Sequence, residues 1–235
     1  MTAPGLVDRD AVRPSLPSPT FGLHADANYS DVAAENAVAT LAIYAFRLIL
    51  RVFYAWRIEA INESVIRDNL DRSVLLVANH TSHLDFILLN ALFKQRYGSS
   101  ITFLAKKELW ESPVWRLLIR YGNAIPVDRA QLSIGTIRAM KGMLASRRFL
   151  GMFPEGTRSA DGRMGPIKPG LEFILRMHPD LVVVPCGLQG FHEAWPKSKA
   201  LQLFLPVKHK LSISFGAAQT FSARQSPGEF VTQLM

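Results

Sequence analysis

From residue 73 onward the chain alternates short apolar, β-leaning runs with segments of helical periodicity, and no other feature restricts its architecture as much. The strand candidates are Val74–Ala78, Ile101–Ala105, Ala124–Val127, Phe149–Phe153, Leu181–Cys186 and Leu211–Phe215. Between them, Leu84, Ile87, Leu88 and Ala91 fit one helix face, and Ile134, Ile137, Met140 and Leu144 fit another within Gln131–Ala145. A further helix has readable ends: Ser112 and Pro113 as cap and first position, Gly122 as stop. Such alternation predicts an α/β fold, a largely parallel central sheet flanked by helices. With 235 residues the chain has room for one ordinary domain and additional terminal segments.

The expected organisation has three parts. Residues 1–29 carry Pro4, Pro14, Pro17 and Pro19 among small and polar residues, without apolar periodicity, and read as a disordered or loosely ordered tail. They show no basic segment followed by a short apolar core, so no secretory signal is expected. Residues 30–57 read as a helix capped by Ser30 or Asp31 and almost wholly apolar from Ala37 to Trp56. Its polar groups, Asn36, Thr40, Tyr44, Arg47, Arg51 and Tyr54, recur in steps of three and four and form one stripe. An arginine in mid-membrane costs about 2.5–3.5 kcal/mol on insertion scales. A helix lying in the head-group plane avoids that cost, so an amphipathic membrane-associating helix is the expectation. A true span and a helix packed on the domain are the alternatives. Residues 58–235 would form the remaining domain.

Charge narrows the possible partners. Lys and Arg number 27 against 19 acidic residues, a net charge of +8, while 49% of residues are hydrophobic. The basic residues form no run of four, which argues for anionic lipid or phosphorylated substrates and against nucleic acid. The single cysteine, Cys186, lies in an apolar run and reads as core packing.

Chemistry concentrates where the apolar runs stop. Val74–Ala78 leads into Asn79-His80-Thr81-Ser82-His83-Leu84-Asp85, so a strand delivers His80 to a turn and Asp85 to the first turn of the next helix. On a straight helix the two would diverge by roughly 140°, so their pairing requires the loop to fold His80 back over the helix start. A carboxylate on Nδ1 would fix the imidazole tautomer and make Nε2 a general base. The chain has no Gly-x-Ser-x-Gly elbow, so the activated hydroxyl is expected to come from a substrate. A histidine that merely ends a strand beside an N-terminal helix charge is the plainer reading of the same residues. His80 and His83 are three apart, but no third ligand accompanies them and no metal is expected.

Other strand ends carry further clusters, and ligands of open α/β sheets bind at that edge. Gly122–Arg129 runs into the pair Asp128 and Arg129. Phe153-Pro-Glu-Gly-Thr-Arg-Ser159 places Glu155 and Arg158 around Gly156, with Lys168 and Gly170 following. A glycine that lets N–H groups approach an anion, plus a guanidinium, suits a phosphate. An ion pair and a polar turn are the plainer readings. The last cluster is Val183-Val184-Pro185.

Taken together and in this order, the blocks at 79–85, 122–129, 153–159 and 183–185 resemble the motif blocks of the glycerolipid (lysophospholipid) acyltransferase family, which includes the 1-acylglycerol-3-phosphate acyltransferases. The resemblance covers about residues 70–220. It implies transfer of a fatty acyl group from acyl-CoA or acyl carrier protein to the hydroxyl of a lysophospholipid, first of all 1-acylglycerol 3-phosphate. Other acceptors, such as a lyso-ornithine lipid or glycerol 3-phosphate, and a non-catalytic lipid-binding protein are the competing readings. By the resemblance His80 is the base and Asp85 its partner. Lys106, Arg129, Glu155, Gly156, Thr157 and Arg158 would bind the acceptor, and Asn79 and Ser82 would support the loop. It implies no cofactor beyond the acyl-CoA or acyl carrier protein co-substrate, membrane lipids as partners, and a place on the cytoplasmic face of the membrane.

Overall fold

The computed structural model describes residues 58–112, 124–127, 134–145, 149–178, 181–198, 210–222, 226 and 229–230. The tail at 1–29, the helix expected over 30–57, most of the helix expected after Ser112, and the pair Asp128 and Arg129 lie outside the described residues. Among the described residues, no helix is long and apolar enough to cross a membrane.

In chain order the elements are β1 (Ile58–Ile61), α1 (Ser64–Arg67), β2 (Val74–Ala78), α2 (Asp85–Tyr97), β3 (Ile101–Lys106), a 3₁₀ turn (Lys107–Glu111), β4 (Ala124–Val127), α3 (Ile134–Ala145), β5 (Phe149–Met152), α4 (Gly170–Met177), β6 (Val182–Gln189), α5 (Phe191–Ala194), β7 (Leu211–Phe215) and β8 (Gln219–Thr220). The strands form one sheet in the order β1-β7-β6-β2-β5-β3-β4, with β8 also on β6. All pairings are parallel except β6 with β7 and β6 with β8. The expected α/β fold with a mostly parallel sheet is therefore present.

β2 is the axis of the sheet. All five of its residues are buried, as a strand with parallel neighbours on both edges and helices on both faces requires. Its side chains alternate between two cores. Val74, Leu76 and Ala78 pack on the α2 side with Leu84, Ile87, Leu88 and Phe93. Leu75 and Val77 pack on the other side with Met140 and Leu144 of α3 and Leu171, Ile174 and Leu175 of α4. Ile134, expected on the buried face of α3, is instead 76% exposed at the first helical position.

The register brings the motif-bearing loops together. Val77 is opposite Met152 and Ala78 opposite Cys186, so β2 and β5 end at the same level. Gly151 makes a second alignment possible: a Cβ there would lie 2.3 Å from the Phe103 ring. The close approach seats Phe103 against Phe153 (centroids 5.4 Å apart), and Phe153 stacks on His80 at 4.1 Å.

β3 and β5 end one residue from expectation, at Lys106 and Met152, and β6 departs further. β6 continues through Pro185 and Gly187 to Gln189 rather than stopping at Cys186. The strand tolerates Pro185 because residue 185 falls between the residues paired with β8 and those paired with β7. Its carbonyl accepts from Gly216 N–H at 2.8 Å on that side, so no ladder bond is missing its donor. β1 and β8 were not expected from the sequence; with four and two residues they are too short to show a period.

Candidate active site

The turn after β2 folds His80 back over the start of α2. His80 Nδ1 lies 2.8 Å from Asp85 Oδ2, and the Asp85 side chain is fully buried while that of His80 is 18% exposed. The same Oδ2 accepts the Thr81 and Ser82 N–H groups at 2.7 and 2.8 Å. Asp85 thus satisfies the loop that precedes its own helix, and in doing so sets where the imidazole sits. Its second oxygen, Oδ1, is buried without a hydrogen-bond partner among the described residues.

The backbone of His80 is fixed from both sides by the 153–165 loop. Its N–H donates to Glu155 Oε1 at 2.8 Å, and its carbonyl accepts from Ser159 N–H at 2.7 Å. Glu155 Oε2 accepts from Gly165 N–H at 2.9 Å, and the residue is 3% exposed. Each Glu155 oxygen therefore holds a backbone amide, and the role visible in the fold is that of a brace between two loops. Gly156 adopts φ +67, a left-handed conformation that side chains disfavour, and its N–H closes the turn onto Phe153 O at 3.0 Å. The glycine thus serves the sharp turn itself.

Asn79 and Ser82 bind the loop to the rest of the sheet. Asn79 Nδ2 donates to Leu188 O at 3.0 Å and its Oδ1 accepts from Leu188 N–H at 2.7 Å, extending the β2–β6 ladder by one side chain. Ser82 is fully buried; its hydroxyl donates to Trp195 O at 2.8 Å and accepts from Leu84 N–H at 3.1 Å. A hydroxyl so engaged is no nucleophile. Burial pushes the Cys186 thiol up, so it stays protonated inside the core.

Arg158 reaches the site through a partner that sequence reasoning overlooked. Its guanidinium meets the ring nitrogens of His83, which stacks on Trp195 at 4.6 Å. Burial and the Arg158 charge hold His83 down at about 4, so the ring is neutral at physiological pH and can accept from the guanidinium. Burial also lowers Arg158 from its ordinary value, opposed by the Asp85 charge. Thr157 is exposed beside Arg158, and Lys197 approaches both. Lys106, expected near the same anion, carries an exposed ammonium paired with Glu108 Oε1 at 3.1 Å. Among the described residues no group of His, Cys, Asp and Glu is arranged to hold a metal. Nothing in the sequence around 195–197 marks that segment as part of the site; its contacts with Ser82, His83 and Thr157 arise only from tertiary packing.

A family model described as acyltransferase matches residues 57–189, more than half of the chain and nearly all of the elements just described. The chain belongs to the acyltransferase family. Curated relatives carry a narrower name. The chain is 37% identical over 103 residues to a 1-acyl-sn-glycerol-3-phosphate acyltransferase of Helicobacter pylori, covering 43% of this chain and 42% of that protein. It is 31% identical over 145 residues to one of Cocos nucifera, covering 57% and 46%. To the chloroplastic BAT2 protein of Brassica napus, of the same name, it is 30% identical over 128 residues, covering 54% and 36%. The matches span less than half the length of these relatives. The crystal structure of the 1-acyl-sn-glycerophosphate (LPA) acyltransferase PlsC from Thermotoga maritima shares the fold, with a TM-score of 0.55 at 20% identity over 85% of this chain and 79% of that one.

Proposed function

We propose that this chain is an O-acyltransferase that moves a fatty acyl group from acyl-CoA or acyl carrier protein to the hydroxyl of a lysophospholipid, 1-acylglycerol 3-phosphate. The observation that carries the reading is the His80–Asp85 pair: a fully buried carboxylate 2.8 Å from Nδ1 of an imidazole that remains partly exposed. His80 Nε2 has no hydrogen-bond partner among the described residues and is the atom that would take a proton. The relatives reported above are named 1-acyl-sn-glycerol-3-phosphate acyltransferase, which supports the acceptor.

In this mechanism Nε2 removes the proton of the acceptor hydroxyl as its oxygen attacks the thioester carbonyl. Asp85 stabilises the resulting imidazolium through Nδ1–H. The tetrahedral intermediate expels the thiolate, which recovers the proton from His80. One ester forms, one thioester breaks, and the enzyme returns unchanged. Arg158 and Thr157 would receive the acceptor phosphate. Glu155, Gly156, Asn79 and Ser82 would act by positioning the two loops, and Lys106 and Arg129 would contribute charge at the rim. The amphipathic pattern of 30–57 supports attachment to the membrane in which the lysophospholipid resides. The cytoplasmic face is the side proposed because acyl-CoA and acyl carrier protein are available there.

The test is acyl transfer by the purified full chain to 1-acylglycerol 3-phosphate, glycerol 3-phosphate and a lyso-ornithine lipid, with acyl-CoA and acyl carrier protein as donors. His80→Ala should lose about 10²-fold or more in rate with an unchanged thermal midpoint. Wild-type turnover equalled by His80→Ala, or preference for an acceptor without phosphate, defeats the reading. Removal of residues 1–57 should release the chain from anionic vesicles.

A further inference from the structure

The segment that follows α5 is a strap laid across the site. Trp195 is 1% exposed, Pro196 forms an isolated antiparallel bridge with Ser82, and the Ser82 hydroxyl holds the Trp195 carbonyl at 2.8 Å. The His83 ring stacks on Trp195 and hydrogen-bonds the Lys197 backbone. These contacts anchor the strap to the His80 loop and bring the Lys197 side chain over the 153–158 turn. There Nζ lies 3.4 Å from Thr157 Oγ1 and 3.5 Å from the Arg158 carbonyl.

Two cations thus border the same turn with incomplete compensation, the Lys197 ammonium at the Thr157 hydroxyl and Arg158 carbonyl and the Arg158 guanidinium at the His83 ring. Neither Arg158 nor Lys197 has a carboxylate within ion-pair distance among the described residues. The acidic group that Arg158 senses, Asp85, is committed to His80 and the loop amides. A half-buried guanidinium, an ammonium and a hydroxyl on one rim form a cluster that an anion with several acceptor oxygens would complete. A phosphate monoester suits it better than a diester, since it offers three terminal oxygens and close to two negative charges.

We propose that Lys197, carried by the Trp195–Lys197 strap, is a phosphate-monoester-binding residue that completes a subsite with Arg158 and Thr157. The inference rests on the acyltransferase reading and adds a cation from a part of the chain that no motif covers. Both the lysophosphatidate headgroup and the 3′-phosphate of CoA are monoesters, so either substrate could supply the ligand.

Titration calorimetry on the full chain in a neutral detergent separates the two. Dodecyl phosphate, which has no hydroxyl to acylate, probes the acceptor side; CoA and dephospho-CoA probe the donor side. Lys197→Ala should weaken binding of one monoester about tenfold, equivalent to about 1.4 kcal/mol. Lys197→Arg should retain most of the affinity, and both variants should keep the wild-type thermal midpoint. Loss confined to dodecyl phosphate assigns the subsite to the acceptor. Loss for CoA but not dephospho-CoA assigns it to the donor. Unchanged affinity of Lys197→Ala for both monoesters overturns the proposal. Wild-type turnover of 1-acylglycerol 3-phosphate, measured in parallel, tests the enzymatic reading separately, because the binding arms need no reaction.

Discussion

Each end of α2 meets a carboxylate with several donors, and the two behave as different chemical objects. At the start, Asp85 is fully buried and accepts from two backbone amides and one imidazole. Near the end, Glu63 of the preceding turn accepts from Tyr97 at 3.0 Å, from Arg67 at 3.3 Å and from Arg96. The donors around Glu63 are side chains, and that of Arg67 is 60% exposed, so water and salt compete for it. Tyr97 is pushed above the usual phenol range, chiefly by burial and then by Glu63, and remains a protonated donor. The count of hydrogen bonds is similar at both ends. What distinguishes Asp85 is that its donors are fixed backbone and that its single side-chain partner keeps a second, unengaged nitrogen.

Asp85→Asn is the strongest way to break this comparison. The amide cannot stabilise an imidazolium, so acyl transfer should fall by about 10²-fold, as on loss of His80 itself. Steady-state kinetics on protein of verified fold measures this, and a loss below tenfold would place the base elsewhere. Glu155→Ala comes next. It strands the His80 and Gly165 amides, each buried donor costing about 1–3 kcal/mol, so urea denaturation should show a loss of about 2 kcal/mol or more. If Glu155 touches the acceptor rather than bracing His80, the variant would instead keep its stability and raise the acceptor KM.

His83 sharpens the comparison through pH. Its folded value of about 4 lies below the ordinary 6.5, so between those values the unfolded chain binds more protons. Stability should therefore fall as pH drops from about 6.5 through 4, with a slope of up to about 1.4 kcal/mol per pH unit from this group. His83→Gln should flatten that slope, and identical slopes in the two proteins would show that the ring is not held neutral. The smallest effect is expected at Glu63. Glu63→Ala should cost about 1 kcal/mol and leave acyl transfer unchanged, because its arginine partners are largely solvated, at 60% and 35% exposure. A large loss of activity there would mean that the far end of α2 communicates with the loop at its start.

Much of the fold was legible because its elements are set by local pattern. Val74–Ala78, Ala124–Val127 and Leu211–Phe215 occupy the expected bounds, since a short apolar run, or in Leu211–Phe215 an apolar residue at every second position, is a local signal. β1 was not legible because its pairing depends on β7, more than a hundred residues away. The far half of β6 was hidden by Pro185 and Gly187, which read as breakers until the neighbouring strands show that residue 185 needs no donor.

At the candidate site the sequence by itself determined which groups are delivered to the sheet edge. A strand that stops at Ala78 must present His80 in the following turn, and a helix that begins at Asp85 must keep its carboxylate nearby. Its motif order also resembled the family to which the chain belongs. Only the tertiary structure decided what each group faces. Glu155 turns inward to two amides, Lys106 pairs with Glu108, and Arg158 meets a neutral His83 that stacks on Trp195. Local spacing fixes where a side chain leaves the backbone. For Glu155 at His80 and for Arg158 at His83 the partners are set by strand register and loop closure across 75 residues, which no short window of sequence contains.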